Sequence, residues 1–381
     1  VEDVFVESDL VLLKRTVKSF VAEQVAVLEQ SQKDYLQKLP VEQVELLKEK
    51  ARMAGLFALG AKEEWGGAGL SLFIRSVIYE EAAKHRLGLY HPAADAFGEE
   101  LPSFLEQCTL EQIETYVKPA IERGKGCFMA LWEALEDNHI ERLRCEAVKQ
   151  GADWVINGHK SYIQKLEQSS FGIILVNCLG DNGAKEATLF ILAPTDSYEL
   201  KETVLMDVQT RHEVILKDVR LPDDRRIGKV GEGAQLIKQW LAETQVLLGA
   251  RCLGVAEKAL QYARDYAMLR ITRGKALIEF PAVQTMIAEA VLNIKAARLM
   301  VYDAAKQIDA GDKDGRISAK MAKLFATEAA AKIIDDSLQI CGGSGYAGDL
   351  PIERWYKEIR LARVDLQKKE TILEEIVKMN R

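Results

Sequence analysis

Apolar positions recur at helical spacing over the first stretch of the chain. Leu10, Leu13, Val17 and Val21 fall on one face of a helix, and VEQVELLKEKARMAGLFAL repeats the pattern. Further helices are predicted from Ser71 to His85 and from Leu110 to Gly124, with the glycine-rich turn EEWGGAGL at 63–70 closing the segment before them. Near Gly126 the period changes. CFMAL, WVING, FGIILVNC, ATLFILA and EVILKDVRL are short β-rich runs, separated by the strand-breaking GAD, GDNGAK and PTDS. From about Gly231 the helical period returns, and Val283, Met286, Ile287, Ala290, Val291 and Ile294 line one face of a helix. The alanine-rich SAKMAKLFATEAAAKII predicts helices that approach closely. The order α, β, α predicts three domains, at 1–124, 125–230 and 231–381.

Composition narrows the function more than the fold. The chain has 381 residues and a formal net charge of −7, with no lysine or arginine run long enough to track a nucleic acid. A local basic patch remains compatible with one phosphorylated ligand. Six cysteines are scattered without a CxxC pair, which with the absence of signal-peptide organisation in VEDVFVESDL points to a reducing compartment, a bacterial-type cytoplasm or an organelle matrix. No apolar run approaches a membrane span. The histidines at 85, 91, 139, 159 and 212 have no metal-ligand spacing, so no metal is expected. Ser161 and Ser344 lack a nucleophile setting, and LEEI at 373–376 reads as a solvated helix face.

Longer words carry more. EEWGGAGL, WVINGHK (154–160), EVILKDVRLP (213–222), GEGAQ (231–235), ARCLGVAEKALQYARDYAMLR (250–270), FPAVQTMIAEA (280–290) and QICGGSGYAGDLPIERWYKEIRLAR (339–363) occur in that order. Through them the chain resembles the acyl-CoA dehydrogenase family over essentially its whole length. The resemblance implies an α+β fold: an N-terminal helical domain, a middle β-barrel or sandwich domain and a C-terminal four-helix bundle, assembled as a tetramer. It implies FAD shared between subunits, the β domain of one holding the flavin ring and a neighbour's C-terminal domain holding the pyrophosphate and adenosine. It further implies a glutamate that removes the α-hydrogen of an acyl-CoA, a β-hydride passed to flavin N5, and an electron-transfer flavoprotein as acceptor.

Carried over residue by residue, the two halves of that site fare differently. The neighbour-directed Arg-x-x-Phe-Gly is RITRG here, keeping Arg270 and Gly274 with Arg273 at the aromatic position, where a guanidinium can still stack or meet phosphate. Gln339, Gly342 and Gly343 match Gln-x-x-Gly-Gly, whose bare backbone lets a dinucleotide approach. On the ring side, Leu-Thr-Glu-Pro has become LWEA, so Trp132 replaces the threonine donor. Trp-Ile-Thr-Asn has become YIQK, in which Tyr162 keeps an aromatic face and Gln164 replaces a small hydroxyl. Gly-Ser-Asp is Asp137-Asn138-His139, which places Asn138 and His139 on the substrate side, and the stretch 205–214 reads as shorter than the family's loop.

The base is the sharpest departure. Aligned without a gap, RVDLQKKET puts Lys369 where the family has its glutamate and Glu370 where it has glycine. Family members that carry the base on an earlier helix use Leu-x-x-Glu-Arg. In LAETQ those two positions are Thr244 and Gln245, and Glu243 is one step off, about 100° around a helix. An ordinary lysine is protonated at neutral pH and cannot accept a proton. Glu370 and Glu243 are the displaced candidates, although Glu370 also suits the first turn of a helix. The leading expectation is a dehydrogenase-type subunit whose own base and ring pocket are degenerate and which completes the FAD site of a homologous partner in a heterotetramer. The alternatives are a self-sufficient divergent FAD enzyme using Glu370 or Glu243, a desulfinase-like acyl-CoA enzyme, and a non-enzymatic acyl-CoA-binding or structural protein.

Overall fold

The structure is a computed structural model and describes residues 7–32, 38–134, 142–166, 168–179, 184–206, 210–347 and 350–379. They form two compact units, a sheet unit of Gly55–Gly69 and Gly98–Trp240 and a helical unit of Val1–Ala54, Leu70–Phe97 and Leu241–Arg381.

Among the described residues the sheet unit has strands β1 Gly126–Ala130, β2 Glu146–Gln150, β3 Asp153–Ile163, β4 Ser169–Leu179, β5 Lys185–Leu192, β6 Glu199–Val204, β7 Thr210–Pro222 and β8 Arg226–Ile227. They run in the order β6-β7-β3-β2-β4-β5-β8, with β1 beside β4. β1 and β2 both lie parallel to β4, β1 along Ser169–Ile174 and β2 at Asn177 and Cys178. The apolar run FGIILVNC in β4 is buried throughout, as befits a strand covered on both faces, whereas β6 is exposed along its length. Trp154 and Phe190 meet edge to face at 5.8 Å in the core. The helix expected over Leu110–Gly124 forms as Leu110–Gln112, a π turn over Ile113–Val117, and Lys118–Glu122, started by a capping box between Thr109 and Gln112.

The helical unit holds α1 Glu7–Phe20, α2 Val41–Met53, α3 Leu72–Ala82, most of α4 Gly233–Leu269, α5 Pro281–Asp309, α6 Gly315–Cys341, α7 Ile352–Val364 and α8 Lys369–Met379. Between α4 and α5 a small hairpin pairs β9 Ile271–Thr272 with β10 Lys275–Ala276. The start of α3 is fixed by Ser71, which accepts from Ile74 N–H. Asp309 at the end of α5 adds its carboxylate, accepting from the Leu72 and Phe73 N–H groups at 2.8 Å each. α3 ends at Ala82, before the expected His85, because Glu29 draws the following chain into a turn. Its carboxylate accepts from Arg86 N–H and Leu87 N–H and lies 2.9 Å from His85 Nδ1. Trp355 on α7 is fully buried and donates to Arg86 O at 3.0 Å.

Close packing rests on small residues. Ala256, Ala259, Ala263 and Ala267 of α4 and Ala319, Ala322 and Ala326 of α6 are all fully buried. α4 and α3 approach closely, and a Cβ on Gly254 would stand 2.0 Å from Glu80 O. Backbone cannot yield as a flexible side chain does, so Gly254→Ala is expected to destabilise the chain by about 1–3 kcal/mol despite alanine's better helix propensity. Urea unfolding of that variant checks this; a midpoint equal to or above wild type would show that the helices part without cost.

Candidate functional site

On the sheet side, LWEA follows β1 and YIQK closes β3, and the two are held together by their backbones. Ser161 N–H donates to Trp132 O at 2.8 Å. Beneath this contact lies a buried ion pair. Lys160 is 0% exposed, and its Nζ donates to Glu133 Oε1 at 2.6 Å and to Leu131 O at 3.2 Å. Glu133 also accepts from Arg144 N–H at 2.8 Å and Cys145 N–H at 3.2 Å. Burial alone would lift the Glu133 carboxyl, but the charge and hydrogen bond of Lys160 and the two N–H donors more than offset it, so it sits below the usual range.

At the end of β3 the backbone twists sharply. Tyr162 and Lys165 take positive φ of 61° and 56°, next to an irregular register between Lys160 and Ile163. Tyr162 is thereby turned outward and is 54% exposed, while Trp132 and Gln164 are half-buried. Lys165 ion-pairs with Glu99. Ser161 Oγ is buried with no hydrogen-bond partner among the described residues. Asn138 and His139 lie outside the described residues, as do 207–209 within the loop expected to be short.

The second cluster is in the helical unit, around the start of α8. Lys323 on α6 is fully buried, and its ammonium donates to Arg363 O and Gln367 O, each at 3.0 Å. Gln245 on α4, also fully buried, donates to Leu366 O at 2.7 Å and to Gln367 Oε1 at 3.1 Å. Between these donors the chain passes through Leu366 and Gln367 with φ of 55° and 105°. Arg363 grips Glu328 through both carboxylate oxygens at 2.9 Å. The turn delivers Lys369 as the first residue of α8, exposed and 3.9 Å from Glu328. Glu370 follows, exposed in the first turn, and Glu243 is buried on α4 at 7% exposure beside half-buried Thr244.

The third cluster, also in the helical unit, is open. Arg273 and Gly274 form the two-residue turn of the β9–β10 hairpin with φ of 48° and 81°, and Arg270 just before it is exposed. At the end of α6, Gln339, Gly342 and Gly343 are exposed; Gly342 has φ of 56°, and a Cβ on either glycine would meet nothing within 4 Å. Bare backbone beside free space suits the phosphate part of a dinucleotide. On that observation the neighbour-directed residues fit an FAD. The segments expected on the ring side meet through their backbones and present an indole, Trp132, and a long amide, Gln164.

Two family descriptions match the chain, "Acyl-CoA dehydrogenase, N-terminal domain" over residues 7–123 and "Acyl-CoA dehydrogenase, C-terminal domain" over residues 231–365. (R)-Benzylsuccinyl-CoA dehydrogenase of Thauera aromatica is 30% identical over 323 residues, covering 81% of this chain and 78% of its own. The chain belongs to the acyl-CoA dehydrogenase family. Mitochondrial isobutyryl-CoA dehydrogenase of Dictyostelium discoideum is 29% identical over 332 residues, covering 84% of this chain and 77% of its own. The structure of butyryl-CoA dehydrogenase from Megasphaera elsdenii superposes with a TM-score of 0.83 at 23% identity over 98% of each chain, which establishes the fold of helical, sheet and helical domains. A flavin is the cofactor that membership implies, and among the described residues no helix is long and apolar enough to cross a membrane.

Sequence reasoning missed Lys323 and the Glu133–Lys160 pair. The signal for Lys323 was a single cation on the alanine stripe that runs through Ala319, Ala326 and Ala330. Glu133 and Lys160 stood inside two words already aligned, but no periodicity pairs residues on separate strands.

Two outcomes are expected. Lys160→Met strands the Glu133 carboxylate in the core and should cost about 3–5 kcal/mol, whereas Lys160→Met with Glu133→Leu should recover most of that. Denaturant unfolding of both variants measures it, and equal losses would mean the pair is not what holds the two segments. Burial brings Lys323 down to about 8 from an ordinary 10.5, despite the opposing charge of Asp365. Between those values the unfolded chain binds more protons at this site than the folded one. This group's contribution to stability therefore rises with pH from 8 to 10.5, by up to about 1.4 kcal/mol per pH unit. Unfolding free energies at pH 8 and pH 10 should show that rise in wild type relative to Lys323→Met; parallel curves would refute it.

Proposed function

We propose that this chain is a subunit of an acyl-CoA dehydrogenase complex that completes the FAD site of a homologous catalytic subunit and supplies no base of its own. The observation that carries this reading is the anchored turn before α8. Moving Glu370 into the place of Lys369 by a one-residue slide would break the Gln245–Leu366 and Lys323–Gln367 hydrogen bonds, whose donor residues are fully buried. Each such rupture costs on the order of 1–3 kcal/mol. Lys369 is exposed, 3.9 Å from Glu328, and a lysine ammonium has no lone pair with which to take a proton. Glu243 lies two residues before Gln245 on α4 and points to a different side of that helix.

The two halves of the flavin site support the same reading. Gln339, Gly342, Gly343 and Arg270 stay open to receive a cofactor presented by another chain. Trp132 and Gln164 change the ring-side half in this chain, while the Glu133–Lys160 pair preserves its backbone. When bound, the flavin would accept a hydride from the β-carbon of the acyl-CoA. In the complex this chain's part is to hold the partner's pyrophosphate and adenosine through glycine backbone and Gln339. The acceptor of the electrons would be an electron-transfer flavoprotein.

Purification of the chain alone and with a homologous dehydrogenase subunit, followed by flavin absorbance, tests the proposal. The chain alone is expected to be colourless, and the complex to carry one flavin per two chains. Gly343→Val should weaken flavin binding by the complex roughly tenfold or more, about 1.4 kcal/mol, while leaving the assembly intact. One flavin per chain with dehydrogenase turnover from the chain alone would overturn the reading.

A further inference from the structure

A cavity of about 970 Å³ opens among α1, α3, α4 and α5, entirely within the helical unit. Its wall is strongly cationic in a chain whose net charge is −7. Two of its cations, Lys84 and Arg298, are already matched. Lys84 Nζ lies 2.8 Å from Glu81 and 2.6 Å from Glu257, and Arg298 lies 2.7 Å from Glu80 and 3.3 Å from Glu257. Tyr302 OH donates to the other oxygen of Glu80 at 2.8 Å. These contacts satisfy the local carboxylates and fix the back of the cavity.

The front is different. Arg15 and Lys18 from α1, Lys258 and Arg264 from α4 and Lys295 from α5 face the same space, and among the described residues none of the five forms an ion pair. Asp265 is the one lining carboxylate outside the Glu80–Glu81–Glu257 group. Burial holds the half-buried Lys258 ammonium below its usual range; Asp265 opposes this, and the charges of Lys84 and Lys18 add to it. Like charges gathered from three helices repel unless an anion sits among them. Leu260 and Ile294, 6% and 5% exposed, with Val291 at the side, give the cavity an apolar floor.

We infer that this cavity binds an organic polyphosphate, a nucleotide-sized anion carrying two or more phosphate groups. The volume lies in the range of small-molecule sites, and five cations from three helices, with Asp265 as the carboxylate beside them, exceed what one phosphate can meet. The apolar floor suits the ring system of a nucleotide. This site shares no residue with the neighbour-directed flavin residues, so it stands whether or not the subunit proposal does.

The source of the anion, a free nucleotide or the nucleotide end of coenzyme A, is separated by the choice of probe. Calorimetric titration of the purified chain, in whatever assembly it adopts, would use inorganic phosphate, tripolyphosphate, adenosine triphosphate and coenzyme A. The expected result is saturable binding of tripolyphosphate and of at least one nucleotide probe, at least tenfold tighter than inorganic phosphate and weakening steeply with salt. Arg264→Glu with Lys295→Glu alters two exposed side chains and should weaken it at least tenfold. Lys149→Glu with Lys217→Glu, the same charge change on the sheet unit, should leave it unaltered. Preference for adenosine triphosphate over coenzyme A assigns a free nucleotide, and the reverse assigns the thioester carrier; both support the site. No saturable binding, equal loss in the two double variants, or phosphate binding as tightly as tripolyphosphate would overturn it.

Discussion

The ammonium of Lys323 is enclosed in a bundle of alanine-lined helices, where a charge without oxygen partners would be untenable. It meets that constraint by taking two backbone carbonyls, Arg363 O at the end of α7 and Gln367 O just beyond it. Those carbonyls can converge on one nitrogen only if the chain reverses tightly between them. The reversal is what places Leu366 and Gln367 in left-handed conformations. Gln245 then secures the far side of the turn. Everything after it, the origin of α8 and the stations of Lys369 and Glu370, follows from where one buried lysine finds its acceptors.

A similar economy operates in the sheet unit, with a different consequence. Glu133 and Lys160 neutralise each other and between them accept from Arg144 and Cys145 N–H and donate to Leu131 O. The pair therefore specifies backbone geometry without depending on residues 132, 162 or 164. Side chains at those positions can differ while the backbone contact persists. At the end of α6 the constraint is the reverse. There the backbone is bare, and open space lies over Gly342 and Gly343 that any larger side chain would fill.

Much of this architecture could be read from residue order. The change of period near Gly126 marks where β1 begins, and the alanine stripe of α6 announced close helix packing. What periodicity missed has a common cause. Leu366, Gln367, Tyr162 and Lys165 adopt left-handed backbone although none is a residue type that favours it, because distant donors and a strand irregularity impose it. Local propensity carries no trace of a hydrogen bond from Lys323 or Gln245. The truncation of α3 at Ala82 is of the same kind, since the carboxylate that draws the chain away belongs to Glu29. The aligned words located Trp132, Gln164 and Lys369, but whether Glu370 had room to slide depended on contacts no alignment contains.

Net charge misleads for a related reason. A sum of −7 over the chain describes only an averaged field, which salt screens beyond about one Debye length. Within that length only the nearest groups count, and the helices bring Arg15, Lys18, Lys258, Arg264 and Lys295 from three separate sequence segments to one cavity. None of those segments contains a basic run, so the concentration of charge is created by folding. The Glu80–Glu81–Glu257 cluster makes the imbalance sharper, because its carboxylates are committed to Lys84, Arg298 and Tyr302 and cannot also serve the front of the cavity. A chain that needed only to neutralise itself has acidic residues to spare, and beside these five cations it places one, Asp265.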